Sequence, residues 1–245
     1  MAELKTKGII VREMPVSEYD KRVVIITKDK GKITAFARGA RKPNSAFLAG
    51  TQIFSYGEYV LYKGKSSSYN IKQVQLIEPF HNIRNDIDVL AYGLYVLEFS
   101  EYVIQENIPN NRLMKLMLKT LQVLVADIIN HELIVEIFEI KAMSYIGYTP
   151  YMKDCINCGN SNNLHYFDAR MGGVVCDNCF NNKCVVNISS STIYTLKYIL
   201  ASPIEKLYSF QVEDNIKQEL KNITAKFIDY HLNYKFRSLD FLIHL

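Results

Sequence analysis

The chain has 245 residues, 49% of them hydrophobic, enough to bury the core of one large domain or of two to three small ones. It has no run of 18 or more apolar residues that could span a bilayer, and its N-terminus lacks the basic-then-apolar form of a secretory signal, so a cytoplasmic protein without membrane contact is expected. The formal charge of +4 is unevenly spread: residues 1–80 carry 14 Lys and Arg against 7 Asp and Glu, and residues 81–245 carry 15 against 18. That asymmetry points to a polyanion partner for the first part, with a merely solvated lysine-rich surface as the competing account.

The first 80 residues read as β. Gly8–Arg12 and Val23–Thr27 are short β-branched runs, and Asp29-Lys30-Gly31-Lys32 is a hairpin-type turn into a third strand, Ile33–Arg38. Gly39–Gly50 is a long loop rich in Arg, Lys, Pro, Asn and Ser. Gln52–Tyr62 alternates in part, with Gly57 as a bulge or bend. Lys63–Ser68 is a second basic loop, and Tyr69–Ile77 is a fifth strand. Five short strands with two long basic loops predict a Greek-key barrel of the OB type, with an SH3-like barrel as nearest competitor.

After Pro79 the pattern turns helical. Ile87–Ile104 is apolar on much of its surface, as in a central buried helix. Apolar positions 113, 116, 117, 121, 124 and 128 have helical spacing, and Leu133, Ile137, Ile140 and Ile146 carry another helix ended near Gly147. Thr192–Leu200 is a short helix before Pro203. Ile216, Leu220, Ile223, Phe227, Tyr230 and Tyr234 form one apolar stripe on a long final helix. The expected class is α+β and multidomain: a barrel domain over 1–80, then a helical domain over 81–245 with an inserted metal module at about 150–186.

All five cysteines fall between positions 155 and 184. Cys155-x2-Cys158 and Cys176-x2-Cys179 are separated by 17 residues, the two-knuckle spacing of a zinc site. Each pair presents two thiolates to one tetrahedral ion. Gly159 supplies a positive φ after the first pair, and Gly172-Gly173 turns a hairpin into the second. Four thiolates close the coordination shell, so one structural zinc ion is expected. Redox dithiols and a catalytic zinc are the alternatives, but the deaminase type of catalytic site also needs a His-x-Glu element, which is absent. Cys184 reads as a small buried hydrophobe, with replacement of Cys179 as a ligand the alternative.

Outside the cysteines, the strongest candidates are basic. Arg38, Arg41 and Lys42 lie in a loop with Gly39 and Ser45; Lys63 and Lys65 lie in the second basic loop, and Lys32 in the β-turn. Such residues contact phosphates, and on an OB barrel the inter-strand loops flank the oligonucleotide face. Phe36, Phe47, Tyr62 and Tyr69 are candidates to stack bases, or simply to fill the core. No nucleophile elbow, Walker loop or His-Glu-x-x-His motif is present, and the five histidines lack an evident carboxylate partner, so no catalytic residues are assigned.

Taken in order, these segments resemble the RecO family of bacterial DNA repair and recombination mediators. The resemblance runs through Lys7-Gly8-Ile9-Ile10-Val11, Ser17-Glu18-Tyr19-Asp20, Ala37-Arg38-Gly39-Ala40-Arg41-Lys42-Pro43 and Leu61-Tyr62-Lys63-Gly64. It continues through Gly147-Tyr148-Thr149-Pro150, the paired cysteines and Arg237-Ser238-Leu239-Asp240-Phe241-Leu242. Gln52-Ile53-Phe54 departs from the Gln-Pro-Phe of the family pattern. The resemblance implies binding of single- and double-stranded DNA and annealing of complementary strands. It also implies association with RecR and with the C-terminal tail of single-stranded DNA-binding protein (SSB), and through these the loading of RecA. None of that breaks bonds, so no enzyme is expected. Lys197, Lys206 and Arg112 are candidates to rim a groove for the tail. The rival readings are a zinc-stabilised protein-interaction scaffold without DNA binding, and a nucleic-acid enzyme with a structural zinc.

Overall fold

The structure, a computed structural model, describes residues 3–64, 68–181 and 185–239. The chain divides into two compact units: Met1–Val125 with Ser238–Leu245, and Ala126–Arg237.

The first unit is built on five strands, β1 (Glu3–Pro15), β2 (Lys21–Thr27), β3 (Gly31–Ala37), β4 (Tyr56–Lys63) and β5 (Tyr69–Glu78). They close into a barrel in the order β1-β2-β3-β5-β4, the five-stranded barrel expected from the sequence. Closure follows from the length of β1. Its first half pairs with β4 and its second half with β2, with a bulge between Ile10 and Arg12. The parallel contact of β3 with β5, Ala35 opposite Tyr69, completes the ring. Alternation then fills the interior. Ile33, Ala35 and Ala37 of β3 point inward, joined by Ile10, Val23, Ile25, Tyr59, Leu61 and Ile71. Each large aliphatic in that set contributes about 1.5–3 kcal/mol of burial.

The strand expected from Gln52 starts only at Tyr56. Phe54 has φ +72°, outside the strand region, and its N–H donates to the Ile10 carbonyl at 2.9 Å. The ring of Phe54 is fully buried. Gly57 sits at a shift in the β4–β5 register, the bulge its glycine suggested. Two helices follow in this unit, α1 (Ile87–Val103) and α2 (Asn111–Ala126). Asp86 caps α1 by accepting from the amides of Asp88 and Val89. Gly93 on α1 lets the helix approach Phe54: a Cβ there would stand 3.2 Å from the ring.

The second unit holds α3 (His131–Tyr145), a three-stranded sheet of β6 (Leu164–Asp168), β7 (Gly173–Cys176) and β8 (Val185–Asn187), then α4 (Ser190–Ala201) and α5 (Asp214–Leu232). The sheet order is β7-β6-β8. The central helix here is α3, buried at every position from Leu133 to Met143. Its charged members need partners. Lys141 finds them at the C-terminus of α4, donating to the carbonyls of Ile199, Leu200 and Ser202 at 3.0, 2.7 and 2.8 Å. The final stripe is buried at Ile216, Leu220, Ile223 and Phe227, but Tyr230 is 49% exposed and Tyr234 lies beyond the helix. Asn233, in the left-handed region at φ +46°, ends α5 before the stripe is complete. Among the described residues no helix is long and apolar enough to cross a membrane.

Candidate metal centre and nucleic-acid interface

The metal centre is assembled on β7. Cys155 and Cys158 lie in a turn whose backbone is tied to that strand: the Ile156 amide donates to the Val174 carbonyl at 2.9 Å, and the Tyr151 amide to the Gly172 carbonyl at 2.7 Å. Cys176 ends β7 and Cys179 lies in the single helical turn that follows. Gly159 has the expected positive φ of +73°, and its amide closes the knuckle onto the Cys155 carbonyl at 2.8 Å. Gly172, at φ +69°, turns β6 into β7. Gly173 has no room for a side chain, since a Cβ would meet Ile156 at 2.8 Å.

The four Sγ atoms lie within 4.8 Å of one another, and those of Cys158 and Cys176 are 3.6 Å apart. Four sulfurs around one ion at about 2.3 Å stand about 3.8 Å apart along each tetrahedral edge, so the cluster fits a single metal ion. Cys155 and Cys176 are buried, and Cys158 faces solvent. Burial pushes the Cys155 thiol up, but the amides of Cys176, Cys158 and Asn157 outweigh it and bring the group down to about 6. Hydrogen bonding to Cys158 is the main cause holding Cys179 up at about 12. Among the described residues no acid or base group joins the shell. His165, expected to lack a carboxylate partner, has its Nδ1 2.9 Å from Asp177 Oδ1, an exposed pair that sequence spacing of 12 concealed. Cys184 lies outside the described residues.

The basic candidates separate into two groups. Lys21 opposite Ala37, and Lys63 opposite Tyr69 with Tyr69 opposite Ala35, bring three chain segments to one end of the barrel. These are the β1–β2 loop, the loop after β3 and the end of β4. Arg38, Arg41, Lys42 and Lys63 are all exposed there. None makes an ion pair among the described residues, whereas Lys5, Arg12, Lys21 and Lys72 are each bonded to a carboxylate. Arg41 donates to the Ser17 carbonyl at 2.6 Å, and Lys42 Nζ stands 5.4 Å from the Tyr19 ring centre. Lys32 is placed apart from this group. It starts β3, roughly 20 Å from Arg38 at the other end of the strand. Its Nζ is occupied, donating to the Glu101 carbonyl at 2.7 Å. Lys65 lies outside the described residues.

Of the aromatic candidates, Phe47 and Tyr69 pack against the barrel core, while Phe36 and Tyr62 are half-buried. Tyr19, which the sequence reading did not single out, is 45% exposed beside the cations. The signal available in the sequence was an aromatic in a polar turn, Ser17-Glu18-Tyr19-Asp20, where folding has little use for one.

Comparison with known proteins agrees along the whole length. Residues 1–80 match the family model described as Recombination protein O N terminal, and residues 84–240 match that described as Recombination protein O C terminal. A protein of Acetivibrio thermocellus called DNA repair protein RecO is 37% identical over 99% of this chain and 97% of its own length. Proteins of the same name from Alkaliphilus metalliredigens and a Thermoanaerobacter species are 37% and 32% identical, over 97% and 100% of this chain and 97% and 99% of their own. On these matches, carried by both the barrel and the cysteine-bearing unit, the chain belongs to the RecO family.

Proposed function

We propose that this protein is a non-enzymatic DNA repair and recombination mediator that binds single- and double-stranded DNA on its barrel and anneals complementary strands. The observation that carries the reading is the group of four exposed cations, Arg38, Arg41, Lys42 and Lys63, at one end of a closed barrel, none in an ion pair among the described residues. The relatives, called DNA repair protein RecO, support it. Phosphates would displace condensed counterions at these side chains, and two strands held against cations would repel each other less. Lys65 joins them by its place in the sequence. Lys32, already hydrogen-bonded, contributes only its charge.

The domain division proposed is 1–80 for DNA and 81–245 for the helical part, with the module at about 150–186. Cys155, Cys158, Cys176 and Cys179 would hold one zinc ion, which when bound supplies cross-linking and no reaction chemistry. RecR, and RecA indirectly, are partners on the strength of the family. The acidic, apolar-ended tail of SSB would dock on the helical part. An open groove of about 660 Å³, where Tyr194, Tyr198, Phe210, Val212 and Ile216 alternate with polar side chains such as Ser191, Thr195 and Gln211, supports this, with Lys197 and Lys206 exposed and Glu213 in the lining opposing it. Action in the cytoplasm, at the nucleoid during repair, follows from the DNA role.

The test is fluorescence anisotropy of a labelled single-stranded oligonucleotide at two salt concentrations. Tight binding at low salt, weakening as salt rises, is the expected result. Absence of binding at low salt would sink the mediator reading in favour of a protein-only scaffold.

A further inference from the structure

We propose that Tyr19 is a base-stacking platform that gives the basic barrel end a preference for single-stranded over duplex DNA; this rests on the DNA-binding reading above. Tyr19 sits in the β1–β2 loop and is 45% exposed. Backbone groups of Tyr19 and its neighbours, and the Asp20 carboxylate, carry the loop's hydrogen bonds. The Arg41 amide donates to the Tyr19 carbonyl at 3.0 Å, and the Val16 amide to the Asp20 carbonyl at 3.0 Å. Asp20 Oδ1 accepts from the Gly39 amide at 2.7 Å, and the Ser17 carbonyl accepts from Arg41 Nη1 at 2.6 Å. Three residues of the loop, Ser17, Tyr19 and Asp20, are thus tied to the neighbouring loop, while the Tyr19 side chain, with the Lys42 ammonium over its ring, stays largely open to solvent. The ordering entropy of the platform is already spent before any ligand arrives.

The surroundings select the ligand. Lys42 Nζ lies 5.4 Å from the ring centre, and Arg38, Arg41 and Lys63 add exposed positive charge at the same barrel end. Two carboxylates oppose them: Asp20, hydrogen-bonded to Gly39, and the exposed Glu18. A ring next to cations matches a ligand with alternating phosphates and π-faces. A single strand can turn a base onto the ring, at one stack per base. A duplex keeps its bases stacked inside and offers this surface only phosphates. Tyr19 therefore adds affinity for single strands alone, while Arg38, Arg41 and Lys42 act on both forms.

The experiment compares the full chain with Tyr19→Ala, Tyr19→Leu and Tyr19→Phe. Each is titrated against oligo-dT and a duplex of equal length by anisotropy at two salt concentrations, after thermal melting confirms unchanged folding. Tyr19→Ala and Tyr19→Leu are expected to weaken oligo-dT binding on the order of tenfold, with duplex affinity and both salt slopes unchanged and Tyr19→Phe like the parent. Equal losses on both ligands, or no loss on oligo-dT, overturn the stacking role while leaving DNA binding standing. If the unaltered chain binds neither ligand at low salt, the DNA reading falls and this proposal with it.

Discussion

The Sγ atoms of Cys158 and Cys176 lie 3.6 Å apart although the two residues are 18 positions apart in sequence. A disulfide would need about 2.05 Å, whereas this separation is close to the edge of a tetrahedron of four thiolates around one ion. Replacing either Cys155 or Cys176 by Ser removes a buried ligand. Elemental analysis should then fall from about one zinc per chain towards none, with a lowered melting temperature, before any loss of DNA annealing. Loss of annealing with metal content and melting unchanged would contradict a purely structural role.

Glu136 makes stability pH-dependent. It is buried in α3, its Oε2 has no hydrogen-bond partner among the described residues, and burial, helped by Glu139 and Glu132, pushes it from 4.5 to about 9. Between those values the folded chain keeps a proton that the unfolded chain has released. Stability therefore falls as pH rises across that window, by up to about 1.4 kcal/mol per unit. Glu136→Gln removes this dependence. Urea unfolding at pH 5.5 and 8 should show the variant gaining on the order of 2–3 kcal/mol over the parent at the higher pH. Parallel pH profiles would show that Glu136 is ionised in the fold.

Gly31 fixes the β2–β3 turn against the segment after α1. It has φ +57°, and a Cβ there would lie 2.0 Å from the Ile108 carbonyl oxygen. Gly31→Ala should cost about 3 kcal/mol or more in unfolding free energy, because both the backbone and the packing must yield. A loss below about 1 kcal/mol would mean that the segment moves aside freely.

The elements and the cysteine cluster were legible because each has a local signal. Alternation along β3, helical spacing along α2 and the two Cys-x2-Cys pairs are set by neighbours a few residues apart. What sequence missed depends on distant partners. Phe54 leaves the strand because its amide reaches Ile10, and its ring is buried in the core. Lys32 reads as a phosphate contact until Glu101 at the end of α1 claims its ammonium. The charged residues inside α3 were invisible, since Lys141 is satisfied by carbonyls 58 to 61 positions away. Tyr19 gained its meaning only when the β1–β2 loop was found tied to Gly39 and Arg41.

The cations at the barrel end are the centre of the proposed DNA-binding surface. The most direct measurement is the salt dependence of oligo-dT affinity for the unaltered chain and for the Arg38→Ala, Arg41→Ala, Lys42→Ala triple variant. Each phosphate contact contributes about 0.7 to the slope of log affinity against log salt on a single strand. The triple variant should bind more weakly at low salt, with a slope shallower by about 2 and its fold intact. An unchanged affinity and slope would contradict the assignment of this barrel end as the DNA-binding surface.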